Sequence, residues 1–356
     1  MMRVLTQIPN HDLKATQEVA RLAEQAGFDE IVTAENAHGP FLPLAAAALA
    51  TEKIQLATAV AIAFPRSPTV MAQMAWDLHK ASNGRFRLGL GTQVKPHNER
   101  RFGIPWSAPA PRMRDYIGAV RALFHAWETE TPLDYQSDTY TLNLMTPNFA
   151  PKPTGLPRIP ISVSAVGPAM LRLGGEVADG VRLHPFSTRR YLGEVSIARI
   201  EEGCARASRT RSDIEVIAGG YGFIGTGPNA EAVARARAYV RYRIAFYCST
   251  RAYWDVLRLH DLVWLGEKVN PLPREGRWNE MAEQIPDELI DLFATVTEYE
   301  ALPEAIEKRY DGYADSVMLQ ISADDDVDRL AECVAGIQRI PSAFQSLNNS
   351  SGRHNS

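Results

Sequence analysis

Cysteine is scarce in this chain, with three in 356 residues. Cys204, Cys248 and Cys333 are odd in number and far apart, and no two have metal-ligand spacing. That excludes a disulfide scaffold and a thiolate metal site, and it predicts a reduced, cytoplasmic protein. Strong charge of either sign is also missing. The 38 Lys and Arg stand against 42 Asp and Glu, a net charge of -4, so neither nucleic acid nor an anionic membrane is expected as a partner. No apolar run is long enough to span a bilayer, since the stretch 45–50 ends at Thr51-Glu52-Lys53. No basic-then-apolar leader precedes the strand-like Val4 to Ile8. A P-loop, an H-E-x-x-H, a G-x-S-x-G and a paired Cys/His spacing are all lacking, and no metal is expected.

What is present is a soluble core, 45% hydrophobic, arranged in alternating elements. Strand patterns fall at 3–8, 28–34, 54–64, 86–90, 159–164, 180–183, 214–224 and 316–321. Helical patterns lie between them. The clearest is 112–127, with Met113, Ile117, Val120, Phe124 and Trp127 on one stripe. Eight strands alternating with helices predict an α/β fold of the (β/α)8 TIM barrel type. The rival is a doubly wound sheet in two parts, but no Pro/Gly/Ser-rich linker divides the chain. We therefore expect one domain over 1–341. Two insertions are expected, near 128–158 and 250–297, the first carrying a hairpin at 133–144. The Ser/Asn-rich residues 342–356 are expected to be a disordered tail.

In such a barrel the chemistry sits at the C-terminal ends of the strands. Glu35 and His38 follow the second strand, His97 the fourth and His184 the sixth. A carboxylate or imidazole there could move a proton, although a solvated loop residue reads the same way. Gly89 and Gly91 close the fourth strand and open a loop, Thr92 to Asn98. Ser164-Ala165-Val166-Gly167-Pro168 ends the fifth strand and begins a helix, whose free N–H groups suit a phosphate. Gly220-Tyr221-Gly222-Phe223-Ile224-Gly225 matches G-x-G-x-x-G, but no acidic residue follows at the ribose distance. These glycines read instead as space-makers in a barrel strand. Trp106, Phe186, Tyr221, Tyr247 and Trp254 read equally as an apolar pocket or as core.

Taken in order, several segments form a pattern. They are Ala57 to Pro68, Gly84-Arg85-Phe86, Gly89 to Val94, Glu99 to Gly103, Pro111 to Tyr116, Gly167-Pro168 and Gly174 to Gly180. The set resembles the bacterial-luciferase-like flavin- or deazaflavin-dependent oxidoreductases, and within them the branch that uses coenzyme F420. The resemblance implies a barrel whose mouth holds the redox ring. A cis non-proline peptide at Ala59-Val60 would back that ring. Thr92, Gln93, Val94 and Asn98 would touch the ring or its chain, with Ser164, Ala165, Val166, Gly167 and Pro168 at the phosphate and His184 beside them. The implied reaction is hydride transfer between F420 and a small organic substrate. The alternatives are a flavin mononucleotide (FMN) monooxygenase and a cofactor-free binding or assembly homologue. Relatives of this kind are often dimers, so a homodimer is expected. Where deazaflavin sugar-phosphate dehydrogenases carry Asp-His after the second strand, this chain has Ala34-Glu35. Where they carry a catalytic Glu after the fourth, it has Val94-Lys95. Their acid and base roles do not carry over, and Glu35, His38 and His97 are proposed as catalytic from position alone.

Overall fold

A computed structural model describes residues 1–220, 222–321 and 325–345. The expected tail lies outside the described residues from position 346 on. Eight strands form the centre: β1 (Arg3–Gln7), β2 (Glu30–Thr33), β3 (Gln55–Thr58), β4 (Phe86–Gly91), β5 (Ile161–Ala165), β6 (Gly180–Leu183), β7 (Glu215–Ala218) and β8 (Ser316–Gln320). All pair in parallel with their sequence neighbours, and β8 returns to β1, which closes the (β/α)8 barrel. Buried on both faces, the strands read as near-continuous apolar runs. Val4, Ile31, Leu56, Leu88, Val163, Val181, Val216 and Val317 point outward and pack under the helices. Leu5, Val32, Ala57 and Ile217 point inward and fill the bore.

Local signals set the helix starts. Ser67 accepts from the Val70 N–H and Pro68 follows it, so this helix begins at Pro68 and runs to Ala81. Two strand readings needed correction. β3 does not run unbroken through 54–64; it stops at Thr58 and resumes at Ala61–Ile62, with a cis peptide at Ala59-Val60 between. β7 ends at Ala218, not near 224, because Gly219, Gly220 and Gly222 all take positive φ and turn the chain away. Ile224–Gly227 then forms a separate parallel pair with Thr295–Glu298. Helix Ala230–Cys248 and the short helices after it gather a second core around Phe223, Ile244, Trp254, Leu265 and Phe293. Among the described residues, no helix is long and apolar enough to cross a membrane.

The floor of the barrel, at the strand starts, is a charged layer. Glu30 accepts from Arg3 at 3.1 Å, from Arg87 at 2.8 Å and from Arg182 at 2.7 Å. Glu215 accepts from Arg3 at 2.5 Å and also from Arg87 and Ser316. Burial alone would push Glu30 upward; Arg87, Arg182 and Arg3 outweigh it and hold the carboxyl at about 2. A carboxyl depressed in the fold contributes stability that is complete above its ordinary range and lost as pH falls through the folded value. Denaturation midpoints should therefore fall steadily between about pH 4.5 and about pH 2. Glu30→Ala, which leaves three guanidinium groups short of an acceptor, should cost about 3–5 kcal/mol at neutral pH. Urea melts of both proteins across that range check this.

Candidate active site

The mouth of the barrel is shaped by how closely β3 approaches β4. Leu56 and Ala57 pair with Phe86 and Arg87, whereas Ala61 and Ile62 pair with Leu90 and Gly91. Three residues, Thr58 to Val60, thus oppose two, Leu88 and Gly89, and the extra residue makes a bulge. The Thr58 hydroxyl bridges it, donating to Gly89 O at 2.7 Å and accepting from Gly89 N at 2.9 Å. A Cβ at Gly89 would lie 1.9 Å from Thr58 O. A Cβ at Gly91 would lie 2.4 Å from Val60 Cγ2 and 3.2 Å from Ser164 Oγ. Only glycine at both positions lets the bulge close on β4.

The loop after β4 is fixed from inside. Asn98 is fully buried, and its Nδ2 donates to Thr92 O at 3.0 Å. Its Oδ1 has no partner among the described residues. Such an acceptor suits a ligand N–H or O–H. Gln93 holds a positive φ of 55° while its side chain accepts from the Val94 N–H. After β5, helix Pro168–Val177 is capped by Gly167 with no side-chain acceptor. Pro168 has no N–H and Met170 donates to Gly167 O at 3.1 Å, so among the described residues the N–H of Ala169, with those of Val166 and Gly167 before it, is available to an anion. His184, which follows β6, accepts the Phe186 N–H on Nδ1 at 3.1 Å. Burial, with Arg243 adding to it, lowers this imidazole to about 3, so it is neutral.

The structure brings Val60, Gly91 and Ser164 together, and His184 follows the strand whose Arg182 and Leu183 pair with Ser164 and Ala165. It does not bring the proposed catalytic residues to them. His38 and His97 are exposed, and no hydrogen bond or ring contact ties either side chain to that group among the described residues. Glu35 is engaged on both oxygens. Arg66 grips Oε1 at 2.8 Å and Oε2 at 2.9 Å, and the Ile62 N–H donates to Oε2 at 2.7 Å. A carboxylate held in that way clamps the resumed part of β3 to the end of β2. Arg66 is occupied by this clamp. Arg101 likewise donates to Asn36 O. Sequence reasoning left the contributions of helix Ala230–Cys248 ungrouped. Arg243 donates to Tyr247 Oη at 2.6 Å, a pairing that their spacing of four on one helix made legible.

Residues 2–316 match the family model described as luciferase-like monooxygenase. An uncharacterized protein of Mycobacterium tuberculosis is 41% identical over 311 residues, 87% of this chain and 91% of that protein. A second protein of the same organism, provisionally named a coenzyme F420-dependent oxidoreductase, is 34% identical over 291 residues, 77% of this chain and 81% of its own. The solved coenzyme F420-dependent tetrahydromethanopterin reductase of Methanopyrus kandleri superposes with a TM-score of 0.77 at 19% identity. That match spans 94% of this chain and 97% of the reductase.

The clamp predicts a local effect. Glu35→Ala leaves the Ile62 N–H without its acceptor and should cost about 1–3 kcal/mol. Amide hydrogen exchange should quicken at Ile62 and stay unchanged at Leu56, on the far side of the bulge.

Proposed function

This chain belongs to the luciferase-like monooxygenase family, and we propose that within it the protein transfers a hydride between bound coenzyme F420 and a small organic substrate. The observation that carries this reading is the cradle at Gly91, where Val60, Gly91 and Ser164 converge and a single added carbon would collide. A flat ring would lie against the Ala59-Val60 bulge, which the lack of a side chain at Gly91 allows to close on β4. The open Oδ1 of Asn98 and the uncapped helix start after Gly167 supply an acceptor and an anion site for the rest of such a molecule. The relative named for F420 supports the choice of cofactor. When bound, a deazaflavin supplies two-electron hydride chemistry.

The remaining work falls to the chain. Ala59 and Val60 back the ring, and Thr92, Gln93, Val94 and Asn98 border it. Val166, Gly167 and Ala169 would hold the phosphate through backbone N–H groups, with Ser164 and Ala165 ending the strand beneath them and Pro168, which has no N–H, opening the helix. Glu35 is a positioning residue, because its carboxylate is spent on Arg66 and Ile62 and keeps the bulge in register. An FMN monooxygenase remains the second reading, supported by the family's own description. We place the expected homodimer contact on helix Phe41–Ala50, which leaves Leu42 and Leu49 72% and 78% exposed.

Fluorescence titration of the purified protein with F420 and with FMN tests the cofactor. Saturable binding of F420 at concentrations where FMN does not bind is expected, and the reverse result would favour the monooxygenase. Gly91→Val should weaken F420 binding about tenfold or more, because Val60 must move into the ring's place. Alanine at His38 or His97 should leave single-turnover rates within about threefold of wild type, since both rings are exposed and neither has a hydrogen bond or ring contact to Val60, Gly91 or Ser164 among the described residues. Leu42→Glu with Leu49→Glu should convert a dimer to a monomer in size-exclusion chromatography with light scattering.

A further inference from the structure

One cavity has no task in the proposed function. It holds about 680 Å³, and none of Val60, Gly91, Asn98, Ser164 and Gly167 lines it. One wall belongs to the barrel. It consists of Arg189 and Arg190, which open the helical segment after β6, and Lys308 and Arg309, near the end of helix Leu302–Tyr310 before β8. The other wall is the segment with its own core, represented by His260 and by residues between Asp291 and Thr297. Leu292, Ala294, Val296 and Ala305 add apolar surface.

The charges in this cavity do not balance. Four cations line it against one carboxylate, Asp291. That carboxylate is engaged elsewhere, since Arg237 donates to its Oδ1 at 2.8 Å. Arg190 is paired with Glu194 at 2.9 Å. The other three cations form no ion pair among the described residues. Arg309 donates to Thr295 Oγ1 at 2.8 Å, to Leu292 O at 3.0 Å, and to the carbonyls of Asp291 and Ala294 at 2.5 and 2.6 Å. All four acceptors are neutral, so they satisfy its N–H groups and leave its charge uncompensated. Burial accordingly lowers this guanidinium below its usual range, with Tyr310 and Asp291 opposing. Arg189 lies over the Tyr313 ring, 4.7 Å from its centroid. Its Nη1 donates to Arg309 O at 2.9 Å and to Asp311 O at 3.1 Å. Its Nε and Nη2 have no acceptor among the described residues. Lys308 is exposed and has no hydrogen bond or ion pair among them.

We propose that this cavity is a second binding site, for an organic anion whose phosphate or carboxylate head meets Arg189 and Lys308 and whose apolar body lies against Leu292, Val296 and Ala305. A planar, forked donor beside a mobile ammonium suits either head. The volume is that of a site for a small organic molecule, far larger than a bare inorganic anion needs. Such a ligand touches both walls, so it fastens the segment that carries Arg243, Tyr247 and Tyr253 to the barrel. The site shares no residue with the cradle assigned to the redox ring and does not rest on the cofactor reading.

Isothermal titration calorimetry of the full chain with octyl phosphate, octanoate, 1-octanol and inorganic phosphate tests this. One equivalent of octyl phosphate or of octanoate should bind at least about tenfold more tightly than 1-octanol or inorganic phosphate. The tighter of the two identifies the head. Arg189→Ala with Lys308→Ala should weaken that binding about 30-fold or more, and Lys308→Glu, which leaves the bonds of Arg189 in place, should weaken it about tenfold or more by itself. The bound anion should slow amide hydrogen exchange at Thr295 and at Lys308, one on each wall. The proposal is overturned if 1-octanol binds as tightly as the anions, if the double variant keeps wild-type affinity, if protection appears on one wall only, or if neither anion binds below about 1 mM.

Discussion

The closeness of two backbones governs this molecule. At Gly89 the fourth strand lies so near Thr58 that the smallest side chain would meet a carbonyl oxygen at 1.9 Å. That approach gives the Thr58 hydroxyl both of its partners on Gly89 and leaves three residues of β3 facing two of β4. The bulge pushes Val60 toward Gly91, and the lack of a side chain at Gly91 leaves room for it. Glu35 and Arg66 then secure the strand where it resumes. Remove the two glycines and neither the bulge nor the surface it presents can form.

The barrel separates its charges by depth. The floor holds three arginines and two glutamates in one hydrogen-bonded layer. Such a layer gives little net stability over an apolar filling, but losing one member leaves an uncompensated buried charge. It fixes the strand starts, and through them the height at which each strand ends. Above it come the apolar bore residues and then the mouth, where Thr92, Asn98, Ser164, His184 and Tyr247 present mostly neutral polar groups. The segment from Phe223 to Ala294 brings its own core and carries Arg243, Tyr247 and Tyr253 to that mouth.

Much of the fold was legible in the sequence because the barrel strands are short apolar runs stopped by glycine, proline or polar residues. Gly180–Leu183 was read with its observed limits, and the helix over 112–127 extends only modestly, to Pro109–Thr129. The reading failed where one apolar run served two purposes. Ile54 to Phe64 is continuous in composition, yet the strand breaks at Ala59-Val60; hydrophobicity carries no sign of that, and it is the family resemblance that places the cis peptide there, as observed. Ile214 to Ile224 was taken as one strand although Gly219, Gly220 and Gly222 lie inside it, and their positive φ values are what end it. At the site, proximity to a strand end put His38 and His97 on the rim but could not say which way they face. Glu35 was legible as a carboxylate at the end of the second strand, but only the folded chain shows that Arg66 and the Ile62 N–H hold it as a clamp. The rings of His184, Tyr247 and Tyr253 pack against one another across up to 69 positions of chain, a contact with no local signature.

The most direct test of the central claim is a crystal structure of the protein soaked with F420. The account predicts ring density lying against Ala59-Val60, with the phosphate at the start of helix Pro168–Val177. Density for the ring at any other place, or a mouth that stays empty at saturating cofactor, would contradict it.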